Sequence, residues 1–343
     1  MTNKVLYIGD SRKTKGGVSA VIKTIQSSFV WEKFSCNWLE CQINESLIHK
    51  LAYLLKALII GLFVIPKYDI IHFHTSVGNS LKVQLPFFLY SIVLKKKIVT
   101  HFHVGNQLKK AAGNRLFSFY CRKSDIVLTL GESLKQYIPH DGKSRTRIEC
   151  LYNPAPETTA KESSQKYFLA AIFIDSEMNK GYDTMLEAFS MISGSYPEWK
   201  MIICGDGDRE KLSGLIEANK LTGKVITPGW VTGKEKDDLF RNAFAYCMAS
   251  REEGLPITVL ESIASGLPVI STPVGCVPEL LSDGESALFF PTGDSRALAD
   301  RMRMLIEDSQ LYKRLSDNGK SIAQGKLSVN SFAAKLDNIY SAL

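Results

Sequence analysis

The sequence predicts an α/β protein made of two doubly wound domains, each with a parallel sheet. Short apolar runs typical of buried strands alternate with helical segments along the chain. A polar segment punctuated by proline, residues 153–164, separates the runs of the first half from those of the second. With 343 residues the chain is long enough to build both domains.

Eight apolar runs are predicted to be strands, with helices on both faces of each sheet. They are residues 5–8, 70–73, 98–102, 126–129, 168–174, 200–204, 245–248 and 269–271. We therefore expect one domain over residues 1–160 and another over residues 161–325. Residues 326–343 should form a helix with Phe332 and Leu336 on one face. Ligands of such sheets bind at the carboxyl ends of strands, so we expect the site in a cleft between the domains.

The net charge of +7 is unevenly distributed along the chain. Residues 1–160 contain 22 Lys and Arg against 10 Asp and Glu, a balance of +12, whereas residues 161–343 contain 20 against 25, a balance of −5. A basic first half suggests attraction to an anionic membrane face or a lipid-linked substrate, and a solvated basic surface is the alternative. No helix-turn-helix, zinc-finger or RNA-binding signature accompanies the charge, so we expect no nucleic-acid partner.

Cysteine usage and the N-terminal sequence indicate a cytoplasmic protein. The seven cysteines are scattered and lack metal-ligand spacing, which argues for a reducing compartment without disulfides. The first ten residues read directly into a strand and turn, without a secretory signal.

Two apolar stretches, residues 47–65 and 85–94, need a separate interpretation. Charged residues interrupt the first, and its uninterrupted run is too short to span a bilayer. We expect both stretches to be helices packed on the first sheet. Peripheral contact with a membrane surface, favoured by the lysines nearby, is the alternative.

The most informative stretch is residues 250–261, Ser-Arg-Glu-Glu-Gly-Leu-Pro-Ile-Thr-Val-Leu-Glu. Glu253 lies in a loop after an apolar strand, and Gly254 lets a bulky ligand approach the backbone. A helix with Pro256 in its first turn follows, and the amides at its start suit a phosphate. Glu261 lies on the helix face that points to the core, where an unpaired carboxylate is costly. We therefore expect sugar hydroxyls to be its partners.

This stretch resembles the donor-site signature of retaining glycosyltransferases of family 4, which have the GT-B fold of two Rossmann-like domains facing across a cleft. The resemblance is dense in the C-terminal half and sparse before it. Its motifs are residues 180–189, 203–207, 250–261, 271–279 and 283–294, with Gly16-Gly17 and His101-Phe-His103 nearer the N-terminus. It implies an N-terminal acceptor domain, a C-terminal nucleotide-sugar domain, and a last helix that crosses back to the first domain.

The resemblance also implies roles for individual residues. Glu261 would bind the donor ribose, Glu253 the donor sugar, and Lys180 the diphosphate, with Glu253 and Lys180 taking part in catalysis. The donor-binding set as a whole is Gly16, Gly17, Lys180, Val231, Ser250, Glu253, Gly254, Leu255 and Glu261. On local grounds a plain loop explains the glycine pair equally well.

The chain departs from the family pattern at two places. Relatives carry an arginine about five residues before the lysine, whereas residues 173–177, Phe-Ile-Asp-Ser-Glu, contain none. Cys276 replaces the second glycine of a Gly-Gly pair, which reduces the freedom of the backbone there.

Histidines form a second constellation, in the two His-Phe-His segments His72/His74 and His101/His103. Alternation along a strand puts both histidines of each segment on one face. Four imidazoles could ligate zinc, and buried core histidines are another interpretation. The resemblance instead places His103 in the active site, beside the donor sugar and the acceptor, with His101 as a weaker acceptor-side candidate.

These observations predict a retaining, metal-independent glycosyltransferase that uses a nucleotide diphosphate sugar, UDP in preference to GDP, without a cofactor. The acceptor would be a hydroxyl of a saccharide or lipid-linked acceptor in cell-surface polysaccharide biosynthesis, with the protein peripheral on the inner face of the membrane. A catalytically silent nucleotide-sugar-binding subunit is the alternative. A dinucleotide oxidoreductase is argued against because the Gly-x-Gly-x-x-Gly fingerprint is absent. A GT-B epimerase would need a carboxylate and histidine set that the sequence does not show.

Overall fold

The computed structural model describes residues 3–14, 16–43, 45–140, 145–158 and 165–343. The chain divides into two compact units. The first comprises Met1–Pro154 and Leu327–Leu343, and the second comprises Ala155–Lys326. The division falls inside the connecting segment expected at residues 153–164, of which residues 159–164 lie outside the described part of the chain.

The first unit has a six-stranded parallel sheet with the strand order β2-β1-β3-β4-β5-β6. Its strands are β1 (Val5–Asp10), β2 (Asn37–Gln42), β3 (Ile70–Thr75), β4 (Lys97–Phe102), β5 (Ile126–Thr129) and β6 (Arg147–Cys150). Its helices are α1 (Gly17–Gln26), α2 (Phe29–Lys33), α3 (Leu47–Val64), α4 (Asn79–Val93), α5 (Gln107–Ala111) and α6 (Arg115–Lys123). The order reverses between β1 and β3, which makes the carboxyl ends of these strands the natural place for a ligand.

The second unit also has a six-stranded parallel sheet, with the order β12-β11-β10-β7-β8-β9. Its strands are β7 (Tyr167–Ala171), β8 (Lys200–Cys204), β9 (Val225–Gly229), β10 (Ala245–Met248), β11 (Val269–Ser271) and β12 (Leu288–Phe289). Its helices are α7 (Tyr182–Ser193), α8 (Arg209–Ala218), α9 (Gly233–Asn242), α10 (Ile257–Ala264), α11 (Val277–Leu280), α12 (Ser295–Glu307) and α13 (Ser309–Gln324). The doubly wound α/β fold predicted for each domain is thus confirmed.

The last helix, α14 (Val329–Ser341), belongs to the first unit although it follows the second in sequence. Ser328 caps its start by accepting a hydrogen bond from the backbone N–H of Ser331. Tyr340, which is completely buried, contacts the hydroxyl of Tyr7 at 2.7 Å and Nδ1 of His72 at 2.6 Å. The helix therefore covers the face of the sheet on which the histidines lie.

Residues 47–65 pack on the first sheet as expected, but only along one side of the helix, where a Cβ on Gly61 would lie 3.5 Å from Leu39 in β2. α3 runs unbroken through its charged positions, and Leu47–Lys67, which includes a short 3-10 turn after α3, is long and apolar enough to cross a membrane by length and composition. Only 17% of the apolar window in this segment is buried. The charged residues fail to break the helix because lysine and histidine are compatible with helical backbone.

Candidate functional site

Glu253 is the centre of a polar cluster in the loop that follows β10. Its Oε1 accepts hydrogen bonds from Lys180 Nζ at 2.6 Å and from Ser250 Oγ at 2.8 Å. Lys180 retains 28% and Glu253 15% of their side-chain exposure, so the pair is reachable from solvent. The structure thus brings together three residues that the sequence placed in the donor site.

Gly181 explains how Lys180 reaches this loop. Its φ of 67° is left-handed, and a Cβ there would lie 2.0 Å from the carbonyl oxygen of Ala249. The turn before α7 therefore abuts the end of β10. Arg251 braces the contact, because its backbone N–H donates to Asn179 O at 2.7 Å and its Nη2 donates to Asp183 Oδ2 at 2.7 Å.

A second backbone contact supports the same loop from the other side. Gly275 has a φ of 59°, and a Cβ there would lie 2.2 Å from the carbonyl oxygen of Gly254. The next residue, Cys276, donates its backbone N–H to that oxygen at 2.8 Å. Cys276 has a φ of −93°, so a side chain is tolerated where the sequence suggested a loss of freedom.

Glu261 has a protein partner that the sequence did not indicate. Its Oε1 accepts from Lys236 Nζ at 2.5 Å, so the carboxylate is paired within the protein, and sugar hydroxyls as further partners stay a prediction. Its Oε2 is buried and has no hydrogen-bond partner among the described residues. Burial raises the pKa of the Glu261 carboxyl, Lys236 lowers it, and the charge of Asp237 raises it further.

The side chain of Glu261 lines a recess of about 400 Å³ in the second unit. The recess is lined by Pro156, Glu157, Thr158, Lys236, Asp237, Phe240, Arg241, Glu261 and Ser265. The predicted contact residue Val231 is buried just after β9 and is not part of this lining. Lys236 escaped the sequence reasoning because it lies in α9, and no local pattern links it to a glutamate in α10.

The segment 173–177 lacks the arginine that the family resemblance implies, and a lysine from another helix contacts this segment. Lys211 Nζ, in the first turn of α8, donates to the carbonyl oxygen of Ser176 at 2.5 Å. Lys211 follows the Gly205-Asp206-Gly207 turn, and sequence spacing gave no signal that it would reach this loop.

The four histidines of the two His-Phe-His segments meet on one face of the first sheet, as the alternation predicts. His74 pairs with His101 across β3 and β4, and consecutive rings are 4.0 to 5.3 Å apart between centroids. His74 Nδ1 and His103 Nε2 form a hydrogen bond of 2.8 Å. His72, His74 and His101 are completely buried, whereas His103 is partly exposed.

We infer the tautomers of this pair from its unpaired atoms. His74 Nε2 is buried without a partner in the described structure. An unpaired lone pair costs less than an unpaired N–H, so the proton of His74 lies on Nδ1 and is donated to His103. His103 therefore carries its own proton on Nδ1. The sequence indicated His74 only as a possible zinc ligand or core histidine, not as a partner of His103.

Burial keeps all four imidazoles neutral. It lowers the pKa of His103 to about 3, and together with mutual repulsion it lowers the pKa of His72, His74 and His101 well below the ordinary value of 6.5. One ring nitrogen from each of these last three lies within 4.8 Å of the others, so they could hold a metal ion. The zinc interpretation therefore stays compatible with the geometry of the described residues, without His103.

Gly16 and Gly17 stand where the sequence predicted a helix start. α1 begins at Gly17, with Gly16 as its N-terminal cap, and no described residue beyond its chain neighbours lies within 4 Å of the position of a Gly16 Cβ. Ser19 Oγ closes the turn by donating to Thr14 O at 2.7 Å. The neighbouring Lys15 lies outside the described residues. A ligand role for the glycine pair stays a prediction.

Residues 158–322 match the family model described as glycosyl transferases group 1. Over 228 residues the chain is 25% identical to an uncharacterized glycosyltransferase of Haemophilus influenzae, covering 64% of this chain and 62% of that protein. It is 31% identical over 143 residues to a phosphatidyl-myo-inositol mannosyltransferase of Mycobacterium leprae, covering 40% of this chain and 37% of the relative. The chain thus aligns with less than two thirds of the length of these curated relatives.

Solved structures resemble the whole chain. HepE of Anabaena, in complex with UDP and glucose, matches with a TM-score of 0.76 at 17% identity, over 99% of this chain and 100% of that one. The lipopolysaccharide outer core galactosyltransferase WaaB in its apo form matches with a TM-score of 0.73 at 19% identity, over 99% and 100%. This likeness confirms the predicted GT-B fold.

Proposed function

Because residues 158–322 match the family model of glycosyl transferases group 1, we propose that the chain transfers a sugar from a nucleotide diphosphate sugar to a hydroxyl of an acceptor, with retention of the anomeric configuration. The donor site is the cluster built on Glu253 and Glu261 in the second unit. Reaction type and residue roles are part of this proposal.

The unpaired carboxylate oxygen of Glu261 carries the assignment. A buried acceptor without a donor costs roughly 1–3 kcal/mol, and more when it is charged. The two neighbouring hydroxyls of a ribose supply the missing donors at Oε2, while Lys236 continues to hold Oε1. The recess of about 400 Å³ beside Glu261 offers space for a nucleoside.

Glu253 and Lys180 would hold the reacting end of the donor. The ammonium of Lys180 has three donors, of which one is used by Glu253 in the structure, so it can also bind a diphosphate oxygen. Glu253 keeps lone pairs for hydroxyls of the donor sugar. As the glycosidic bond breaks, Lys180 and the amides at Gly254 and Leu255, just before α10, would stabilise the charge that develops on the diphosphate.

Lys211 would replace the missing arginine. Its ammonium already contacts the loop at Ser176 that in relatives carries the arginine. A rotation about the flexible lysine stem could move this charge towards the diphosphate without a change in the backbone. Val231 and Ser250 complete the donor side of the proposal.

His103, with His101 behind it, would lie on the acceptor side. Because burial holds the pKa of His103 at about 3, its imidazole is neutral at pH 7 and acts as a hydrogen-bonding group rather than as an acid. In the same-face substitution that the resemblance implies, the leaving phosphate takes the proton of the acceptor hydroxyl. This scheme uses no metal and no cofactor.

UDP is the proposed nucleotide, because a structure of the same fold was solved with UDP and glucose. A saccharide or lipid-linked acceptor in cell-surface polysaccharide synthesis is supported by relatives named for phosphatidyl-myo-inositol mannosylation and for lipopolysaccharide core biosynthesis. The lack of an arginine in residues 173–177 favours one second candidate, a silent subunit that binds nucleotide sugar without turnover.

A thermal-shift titration with UDP, GDP and ADP tests the donor site, with EDTA present and absent. Saturation at about 100 times the dissociation constant adds about 2.7 kcal/mol to stability, a shift of roughly 5–10 °C for a unit of this size. We expect UDP to give this shift with or without EDTA. Glu261→Gln should abolish it, and the matched surface variant Glu217→Gln should retain it.

An activity assay then shows whether the protein is an enzyme or a silent subunit. It measures the release of UDP from UDP-glucose and UDP-N-acetylglucosamine, with simple saccharides as acceptors. Binding with turnover supports the transferase, and binding without any turnover supports the second candidate. If no nucleoside diphosphate shifts the melting temperature, the donor-site assignment is wrong.

A further inference from the structure

The solvent-facing side of α3 is apolar rather than polar. At ~100° per residue, seven apolar residues fall within an outward arc of about 120° that contains no charge. They are Ile48, Leu51, Ala52, Leu55, Ile59, Leu62 and Phe63. All except the alanine are large side chains that are 54% to 78% exposed. A helix on the surface of a soluble unit normally shows the opposite pattern, so this face has a function of its own.

The opposite side of α3 holds the helix against the protein. Ala57 is buried, and a Cβ on Gly61 would lie 3.0 Å from the ring of Phe87 in α4 and 3.5 Å from Leu39 in β2. α4 adds the exposed residues Leu89 and Val93 to the apolar surface. Because one side of α3 packs on the first unit, the helix can enter a bilayer only from the side and in the plane of the interface.

The part of the chain that contains this apolar surface is basic. Residues 48–97 contain seven lysines and one acidic residue, Asp69. Six of these lysines form no ion pair with an acid within the described part of the chain. They are Lys50, Lys56, Lys67, Lys82, Lys95 and Lys96, of which Lys96 donates to the carbonyl oxygen of Pro66. An apolar face within a segment rich in lysines that lack acidic partners complements anionic lipid headgroups above an acyl layer.

We propose that the outward face of α3, with Leu89 and Val93, inserts into the interface of an anionic lipid leaflet and holds the first unit on the membrane. A second copy of the chain fits less well. A symmetric dimer brings the same patch of each copy together, so it would set the lysines of one against those of the other. This proposal does not depend on the donor site.

Vesicle co-sedimentation tests the proposal with the full chain. Binding to vesicles of phosphatidylglycerol and phosphatidylcholine should exceed binding to pure phosphatidylcholine by at least tenfold, and it should weaken between 0.05 and 0.5 M salt. The triple variant Leu51→Ser, Leu55→Ser, Ile59→Ser should lose at least tenfold in binding. The matched variant Met191→Ser, Ile226→Ser, Met304→Ser, which removes exposed apolar residues of the second unit, should bind as the wild type does.

Further measurements distinguish a lipid leaflet from a second copy of the chain as the partner of the outward face of α3. The α3 variant must keep the wild-type far-UV spectrum and its UDP-induced shift, which shows that it is folded and that the donor site is intact. Equal vesicle binding by the α3 variant and the wild type would overturn the proposal. So would a wild-type dimer in light scattering that the α3 variant converts to monomer without any vesicle binding. Protein that resists alkaline carbonate extraction would show a spanning helix instead of an in-plane one.

Discussion

The buried histidines should make the first unit unstable in mild acid. Burial depresses the pKa of His72, His74 and His101 well below the ordinary value of 6.5, whereas the unfolded chain titrates near that value. The unfolded state therefore binds more protons than the folded state below pH 6.5. The stability contributed by neutral imidazoles is fully present above that pH and is lost as the pH falls towards the folded-state pKa values.

The magnitude follows from the number of buried rings. Each imidazole that is protonated only in the unfolded chain lowers the free energy of unfolding by about 1.4 kcal/mol between pH 7.5 and 5.5. Three such rings give about 4 kcal/mol, which is a large part of the total stability of an ordinary domain. At roughly 2–4 °C per kcal/mol, the melting temperature of the first unit should fall by about 8–16 °C.

A single substitution isolates the effect from other titrating groups. His101→Leu removes one buried imidazole, so it should shrink the difference in melting temperature between pH 7.5 and 5.5 by about 3–6 °C. The control is His49→Gln, since the His49 side chain is 69% exposed at the start of α3. Differential scanning fluorimetry with EDTA measures both, and the EDTA removes any metal held by the cluster. An unchanged pH dependence in His101→Leu would refute the reasoning.

Three other predictions concern the site. Glu261→Gln should raise the melting temperature of the ligand-free protein at pH 7 and abolish UDP binding. Because burial raises the pKa of the Glu261 carboxyl, the stability that this group contributes is present at low pH and is lost as the pH rises through its pKa in the folded state. A lower melting temperature of the variant would contradict this reasoning. His74→Phe should move the proton of His103 from Nδ1 towards Nε2, as measured by ¹⁵N NMR, while His74→Gln should retain the wild-type signal. Identical spectra for the wild type and both variants would exclude a positioning role of His74. Gly275→Ala should lose UDP binding because its Cβ has no space, whereas Gly223→Ala, also at positive φ but in open space, should cost only about 1–2 kcal/mol and bind normally.

The central strands were predictable because they are buried on both faces and read as continuous apolar runs. β5, β8, β10 and β11 match the predicted bounds residue for residue. The strands β2, β6, β9 and β12 were missed. β2, β6 and β9 mix exposed with buried residues, and β12 has only two residues. The predicted strand at 168–174 ends at Ala171, and Ile174 instead forms an isolated bridge with Gly207.

Residues of the candidate site were predictable when they lie together in one sequence motif. They were missed when separate secondary-structure elements bring them together. Glu253 and Glu261 lie in one stretch and were found there. Lys236 and Lys211 reach the same region from α9 and α8, and a single sequence does not show which surface lysines the fold turns inward. The exposed side of α3 was missed for a related reason, since an apolar helix has the same sequence pattern whether its faces are buried or exposed.

Because α14 belongs to the first unit, that unit can be completed only at the end of synthesis of the chain. Tyr340 is the partner of Tyr7 and His72, but the ribosome makes it only after the 172 residues of the second unit, Ala155–Lys326. At about 5–20 residues per second, the first sheet waits roughly 10–30 s for its final helix, while the second unit can already fold. A released chain truncated after residue 326 should therefore be cut by protease within residues 1–154 and resist cleavage within the second unit, and equal resistance of both units would show that α14 is dispensable.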